Sequence, residues 1–345
     1  ELLKESRAIQ NKIQSINKPG TIGEILKRFV NMMQKGDVNG AIKLLSNNMQ
    51  NGVLPLTEET LKLLQIKHPE PAETSADVLL TDIPEKIHPI KFEDINADTI
   101  RRAAINTKGG SGPSGMDADG WRTLFVSNSF GDSSSDLCKA FASAVHKLYT
   151  VDHLQDSHDA FLACRLIPLD KNPGLRPIGV GEILRRIAGK AVVSVTRTDI
   201  IQSVGSLQVC AGHEAGCEAA VHAMREIFNE SDTEAVLLID AANAFNNVNR
   251  NAFLHNINVI CPSIATYVRN CYAIPSRLFV IGGVEIKSSE GTTQGDPIAM
   301  SIYAIAVIPL MLMVLEITDN LPDKRTKMAA YADDFSAAGS ITNLH

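Results

Sequence analysis

The chain has 345 residues, 44% of them apolar, and a formal net charge of −6. That length and content support one large or two ordinary domains with real cores, and the charge excludes a globally basic nucleic-acid surface while leaving room for a local basic cleft. Six cysteines, at 138, 164, 210, 217, 261 and 271, form no CxxC pair and no zinc-ligand spacing, so they read as isolated thiols in a reducing compartment.

Residues 1 to about 68 carry helical periodicity. Ile22, Ile25, Leu26, Phe29, Val30 and Met33 recur on one face, and Ala41, Ile42, Leu44 and Leu45 repeat the habit after Asp37-Val38-Asn39-Gly40. Pro69, Pro71, Pro84 and Pro89 mark residues 69–90 as an extended connector. A helix is expected from Phe92 to Ile105. It ends in the glycine-rich run Lys108 to Gly115, which is either a flexible linker or a tight loop close to a nucleic-acid strand. The next helix begins at Asp117-Ala118-Asp119-Gly120-Trp121, and another is expected over 136–151.

Phe161 to Leu169 reads as an apolar strand closed by Pro168. Asp170 to Gly174 is a turn of strong breakers, and Leu175 to Val180 is the returning strand. Lys171 and Arg176 therefore stand at or near a hairpin tip, where they either hold a polyphosphate or are solvated. Ile183 to Thr196 is helical and bears Arg185, Arg186 and Lys190, a basic patch open to phosphate contact or to solvent. Glu214 to Phe228 is a further helix with Ala219, Ala220, Ala223 and Met224 on its apolar side.

Ala235 to Ile239 is uninterrupted and apolar, the pattern of a central strand buried on both faces, and it ends at Asp240. An Asp there caps the next helix or serves as a metal ligand. Leu278 to Ile286 forms a hairpin across Gly282-Gly283 and leads into Gln294-Gly295-Asp296-Pro297. Ile298 to Leu315 is nearly free of polar residues and long enough to imitate a membrane span. Pro309 and the lack of closely flanking basic clusters favour a buried core helix. Near the C-terminal end, Tyr331-Ala332-Asp333-Asp334 lies between two short strand patterns. Adjacent carboxylates repel and persist best around a cation; alone, such a turn is equally a solvated one.

Taken in order, GPSGMDADGWR at 112–122, RPIGVGEILRRIAGK at 176–190, LLIDAANAFNNV at 237–248, GTTQGDPIAMS at 291–301 and YADD at 331–334 resemble the catalytic core of a reverse transcriptase, most similar to those of retroelements lacking long terminal repeats. The resemblance covers roughly residues 92 to 345. It implies an α+β right-hand polymerase fold with an antiparallel palm sheet backed by helices. Residues 1–91 would be a helical extension and connector, 92–230 fingers and fingers/palm elements, and 231–345 palm, with the thumb absent from the segment.

It further implies that Asp240, Asp333 and Asp334 hold two Mg²⁺ ions, with Mn²⁺ as the substitute, assisted by the backbone carbonyl of Ala241. Phe245 resembles a steric gate against a 2′-hydroxyl. Gln294 and Gly295 line the nucleotide pocket, and Arg176 and Lys171 hold the triphosphate. Gly112, Pro113, Arg185, Arg186 and Tyr331 face template and primer. The partners are an RNA template, a DNA or RNA primer and dNTPs, with no membrane. The action is intracellular, in nucleus or cytoplasm, with other domains in a longer retroelement polypeptide. The chain departs from its relatives at Leu169, which follows Ile167-Pro168 where many carry Lys, and at Asn246, where many carry Asp. An RNA-synthesising relative and a non-catalytic RNA-binding scaffold are the competing readings.

Overall fold

The computed structural model describes residues 22–34, 36, 38, 41, 44, 52–81, 93–150, 158–171, 173–231, 233–321 and 326–344. The expectations for residues 1–21, for Ile42 and Leu45, and for Pro84, Pro89 and Phe92 lie outside them. The chain divides into two compact units, residues 1–55 with 169–174 and residues 56–168 with 175–345. In the first, helix α1 (Ile22–Gln34) leaves Leu26, Val30 and Met33 exposed. There Asp170 N–H donates to Gly52 O over 2.7 Å, and Val53 bridges Leu169.

The second unit opens with α2 (Glu58–Ile66), whose N-terminus is capped by Thr57 through a 3.1 Å bond from Thr60 N–H. Of the connector expected over 69–90 the structure describes residues 69–81, and together with Lys67 before it this stretch is fastened at several points. Asn246 donates to Lys67 O over 2.9 Å, Ala72 N–H donates to Glu290 Oε2 over 2.7 Å, and Asn256 bonds both Leu80 N–H and Val78 O at 2.9 Å. Prolines explain the extended backbone, whereas the buried amides that hold it come from distant sequence.

Helices α3 (Ala97–Asn106), α4 (Ala118–Val126) and α5 (Asp132–Thr150) follow. The first starts later than periodicity predicts, because Asn96 caps it by accepting from Asp98 and Thr99 N–H. Asp117 caps the second through a 2.8 Å bond from Gly120 N–H. A short helix α6 (His158–Leu162) takes up Phe161 and Leu162, which were expected in a strand. The strand β1 (Cys164–Asp170) begins after it and contains Pro168 in its interior. β2 (Leu175–Gly181) returns, and α7 (Ile183–Val204) runs well past the expected end at Thr196.

Helix α8 (Gly216–Phe228) buries only Gly216, so its alanine face is not a core face. β3 (Ala235–Asp240) is followed by the short α9 (Ala244–Asn247), then α10 (Arg250–Ile260) and α11 (Pro262–Tyr272). β4 (Ser276–Phe279) and β5 (Glu285–Ser288) form the predicted hairpin, with Gly282 and Gly283 at φ +95° and +85°. The long apolar helix α12 (Ala299–Asp319) precedes β6 (Lys327–Tyr331), β7 (Asp334–Gly339) and α13 (Ile341–Leu344).

Two sheets result, in the orders β2-β1-β4-β5 and β3-β7-β6. The main core joins Ile100, Phe125 and Val145 to Ile187 and Val192 of α7, Ile264 and Val268 of α11, and Ile302 and Ile305 of α12. Removing each such side chain from water contributes about 1.5–3 kcal/mol. α12 is long and apolar enough to cross a membrane by length and composition, and its N-terminal half is packed into this core. Its C-terminal half leaves Leu310, Leu312, Met313 and Ile317 exposed.

The strand expected to be central is an edge. Among the described residues β3 pairs only with β7, and Leu238 is 74% exposed. A continuous apolar run does not distinguish a doubly covered strand from one with an uncovered face, and the tertiary arrangement decides that here.

Candidate active site

The β6–β7 hairpin turns through two residues, Ala332 and Asp333, because Tyr331 pairs with Asp334. Two-residue hairpin loops favour positive φ at their first position, usually supplied by Gly or Asn. Here that residue is Ala332, with φ +57°. Along the other edge of β7, Asp240 pairs directly with Asp334, and Ala241 N–H donates to Asp333 O over 3.3 Å. Residues opposite each other in an antiparallel pair share a face. The fold therefore gathers Asp240, Asp333 and Asp334 at one end of the sheet. Asp240 and Asp334 are exposed and Asp333 is half-buried. Among the described residues no Lys or Arg forms an ion pair with any of the three.

Phe245 stands on α9 just beyond this end. Its ring stacks on Tyr303 of α12 with centroids 4.8 Å apart, and its carbonyl accepts from Thr292 N–H at 2.6 Å and Thr292 Oγ1 at 3.2 Å. Burial, with Asp333 adding its negative charge, pushes the Tyr303 hydroxyl up to about 12. The Cys210 thiol is pushed up to about 11, mainly by burial and further by Asp333.

The Gln294–Gly295 loop meets the same region from the other side. Gln294 Nε2 donates to Asn246 Oδ1 over 3.2 Å, and Gln294 O accepts from Gly179 N–H on β2 at 2.8 Å. Gly295 has φ +110°, and a Cβ there would come within 2.5 Å of Gly179 O. The Asn in place of the expected Asp at 246 is accounted for locally. It is buried, donates to Lys67 O and accepts from Gln294, and a carboxylate could not donate.

The loop is held from beneath by buried charge. Asp296 accepts from Arg185 at 2.5 Å, from Tyr272 Oη at 2.9 Å and from Ile298 N–H at 3.1 Å. This corrects the expectation that Arg185 faces nucleic acid. It is 2% exposed and its Nη1 donates to Leu162 O over 2.7 Å; burial opposes its charge, but the neighbouring Asp296 carboxylate outweighs this and keeps it charged. Arg250, also buried, donates to Ser288 O, Glu290 O and Gly291 O.

The glycine-rich run is docked rather than free. Ser114 N–H and Oγ both donate to the Glu182 carboxylate at 2.6 Å, and a Cβ on Gly112 would come within 2.8 Å of the Glu182 backbone. Gly112 is thus buried against the start of α7, while Pro113 is exposed. Arg186 donates to Gly110 O and Lys108 O, and Lys190 donates to Asn106 O. Tyr331 is half-buried beside the turn, and Arg176 is exposed on β2. Lys171 is exposed in the first unit, where its N–H donates to Gly174 O over 3.2 Å.

One residue close to the carboxylates went unnoticed in the sequence. Gln208, 0% exposed, donates from Nε2 to Ala332 O at 2.9 Å and accepts from Ala332 N–H at 2.8 Å. No spacing could point to a partner 124 positions away.

The donor set, three unpaired carboxylates at one sheet end, suits a hard divalent cation in chemistry and in backbone placement. The side chains do not yet converge: among the described residues no group of three or more His, Cys, Asp or Glu is arranged to hold an ion.

Residues 169–343, just over half of the chain, match the reverse transcriptase (RNA-dependent DNA polymerase) family, and the chain belongs to it. No curated protein matches the chain. The family's reaction is nucleotidyl transfer, with a nucleic-acid template and primer, nucleotide substrates and divalent metal ions.

Proposed function

We propose that the chain is the catalytic core of a reverse transcriptase of the kind found in retroelements lacking long terminal repeats, acting within a longer polypeptide. It extends the 3′-hydroxyl of a DNA or RNA primer with dNTPs on an RNA template. In this reading residues 92–230 supply fingers and fingers/palm elements of a right hand, and 231–345 supply palm. The observation that carries it is the register of Asp240 against Asp334, with Asp333 bonded back to Ala241 and the Phe245–Tyr303 stack alongside.

Asp240, Asp333 and Asp334, with the Ala241 carbonyl, would hold two Mg²⁺ ions, with Mn²⁺ as the substitute. When bound, the ions lower the pKa of the primer hydroxyl and neutralise the departing pyrophosphate. Phe245 fills the space a 2′-hydroxyl would need, which favours dNTPs over NTPs. Its ring is braced by Tyr303 and its backbone by Thr292, so it yields little. Gln294 and Gly295 line the nucleotide pocket. Arg176 receives the triphosphate through its planar fork. Gly112, Pro113, Arg186 and Tyr331 face template and primer, while Arg185 acts from beneath through Asp296.

Primer extension on an RNA template with Mg²⁺ and dNTPs, compared with Asp333→Ala/Asp334→Ala, tests the reading. Extension by the parent and its loss in the variant are expected. Equal extension by both would overturn the mechanism.

A further inference from the structure

We infer that Gln208 is a positioning residue that holds the Ala332–Asp333 turn, and through it the Asp333 carboxylate, in the geometry that nucleotidyl transfer needs. The inference rests on the reading of Asp333 as a catalytic carboxylate.

The turn has a difficulty of its own. Ala332 occupies the left-handed region, at φ +57°, where a Cβ crowds the neighbouring carbonyl. The pairing of Tyr331 with Asp334 leaves only two residues to reverse the chain, so the hairpin itself demands this conformation. A glycine would meet the demand without cost, but the residue is alanine and it is 4% exposed. Something outside the hairpin must hold it, and both amide atoms of Gln208 are bonded to the backbone of this one residue.

The clamp is itself immobile. Gln208 is fully buried and bridges Ala330 in parallel pairing. Ala330 N–H donates to Leu207 O at 2.7 Å, and Val209 N–H donates to Ala330 O at 2.9 Å. Residues 207–209 thus bridge to β6 on the side away from β7. Behind them the close approach of Gly216, whose Cβ would lie 1.9 Å from Val209 O, leaves no slack. A glutamine is the side chain for this task, since it donates to a carbonyl and accepts from an N–H at once. Glu offers no donor at neutral pH, and Met offers neither group.

The test compares the parent chain with Gln208→Met, Ala332→Gly and the double variant, with Asp333→Asn as control. Three readouts are followed: amide hydrogen exchange at Ala332, Mn²⁺ affinity by electron paramagnetic resonance, and primer extension. Gln208→Met is expected to lose the exchange protection at 332, and to weaken Mn²⁺ binding and extension by roughly tenfold or more, the effect of losing two buried hydrogen bonds. Ala332→Gly, which relieves the left-handed strain, is expected to restore most of both losses in the double variant. A side chain that merely filled space would not be rescued by a glycine at 332. If Gln208→Met does not fold, Gln208→Glu, which keeps the shape, is read in the same assays with the same expectation.

Unchanged Mn²⁺ affinity and extension in Gln208→Met, or no rescue by Ala332→Gly, would overturn the inference while an inactive Asp333→Asn leaves the catalytic reading standing. An active Asp333→Asn would instead overturn that reading.

Discussion

Replacing Asp296 with Ala tests how the Gln294–Gly295 loop is held. Asp296 and Arg185 have side chains only 3% and 2% exposed and meet at 2.5 Å. The substitution strands the guanidinium of Arg185 in the core, removes the acceptor of Tyr272 Oη, and takes the carboxylate from Ile298 N–H. Breaking a buried ion pair from one side costs about 3–5 kcal/mol, and losing the N-terminal acceptor adds about 1 kcal/mol, so about 4–6 kcal/mol is expected. At roughly 2 °C per kcal/mol for a unit of this size, the melting midpoint falls by about 8–12 °C. Calorimetry in low and high salt measures it, and the loss persists in salt because a buried pair is little screened. Arg185→Met combined with Asp296→Leu replaces the pair by apolar groups and recovers a large part of the loss. A fall of less than about 2 °C for Asp296→Ala, or a double variant no more stable than the single one, would refute the argument that this pair anchors the loop.

Phe245→Ala is expected to loosen the preference for dNTP over NTP by about tenfold or more in kcat/KM, and an unchanged ratio would remove the gate assignment. Gly291→Ala should destabilise the chain by more than about 2 kcal/mol in urea titration, because Gly291 has φ +60° and a Cβ would lie 2.4 Å from Phe245 O. Burial holds His68 below its usual value, as it does His158. Above pH 6.5 both states are neutral at these residues; below it the unfolded chain takes up protons the folded chain resists, so stability falls with pH. His68→Gln should flatten part of that loss, read as the urea midpoint between pH 7.5 and 5.5. Cys217 is exposed, whereas burial pushes the thiols of Cys164 and Cys271 up to about 11 and about 12. Alkylation followed by peptide mass mapping should therefore label Cys217 before those two, and equal labelling of folded protein would contradict the packing.

What was legible was mostly local. The glycine pair at 282–283 and the breakers at 170–174 each fix a chain reversal through their own backbone preferences, whereas the turn after Tyr331 puts Ala332 at φ +57° and is held by Gln208. The helix start at Asp117 follows from a side chain that caps the next turn, whereas the cap at Asn96 starts its helix later than the Phe92 that periodicity gives. Periodicity was less dependable where exposure decides. The apolar run of β3 looks buried on both faces and lies at an edge, and the alanines of α8 form no core face. Charge divides in the same way. Arg185 and Arg186 are neighbours in one basic run, yet the first is sealed against Asp296 while the second reaches out to the glycine-rich loop.

By itself, the sequence determined which residue types stand at strand exits and turns: Asp240 after an apolar run, Asp333 and Asp334 at a hairpin tip, and Gln294-Gly295 ahead of a long apolar helix. These depend on neighbours a few positions away, which sequence spacing records. Only the tertiary structure decided that Asp240 pairs in register with Asp334, that Asn246 and Glu290 fasten the Lys67–Leu80 strap, and that Gln208 clamps the turn before Asp333. Those contacts join residues far apart along the chain. Their energies come from burying polar groups that must then find partners, and the folded packing alone settles which partners they meet.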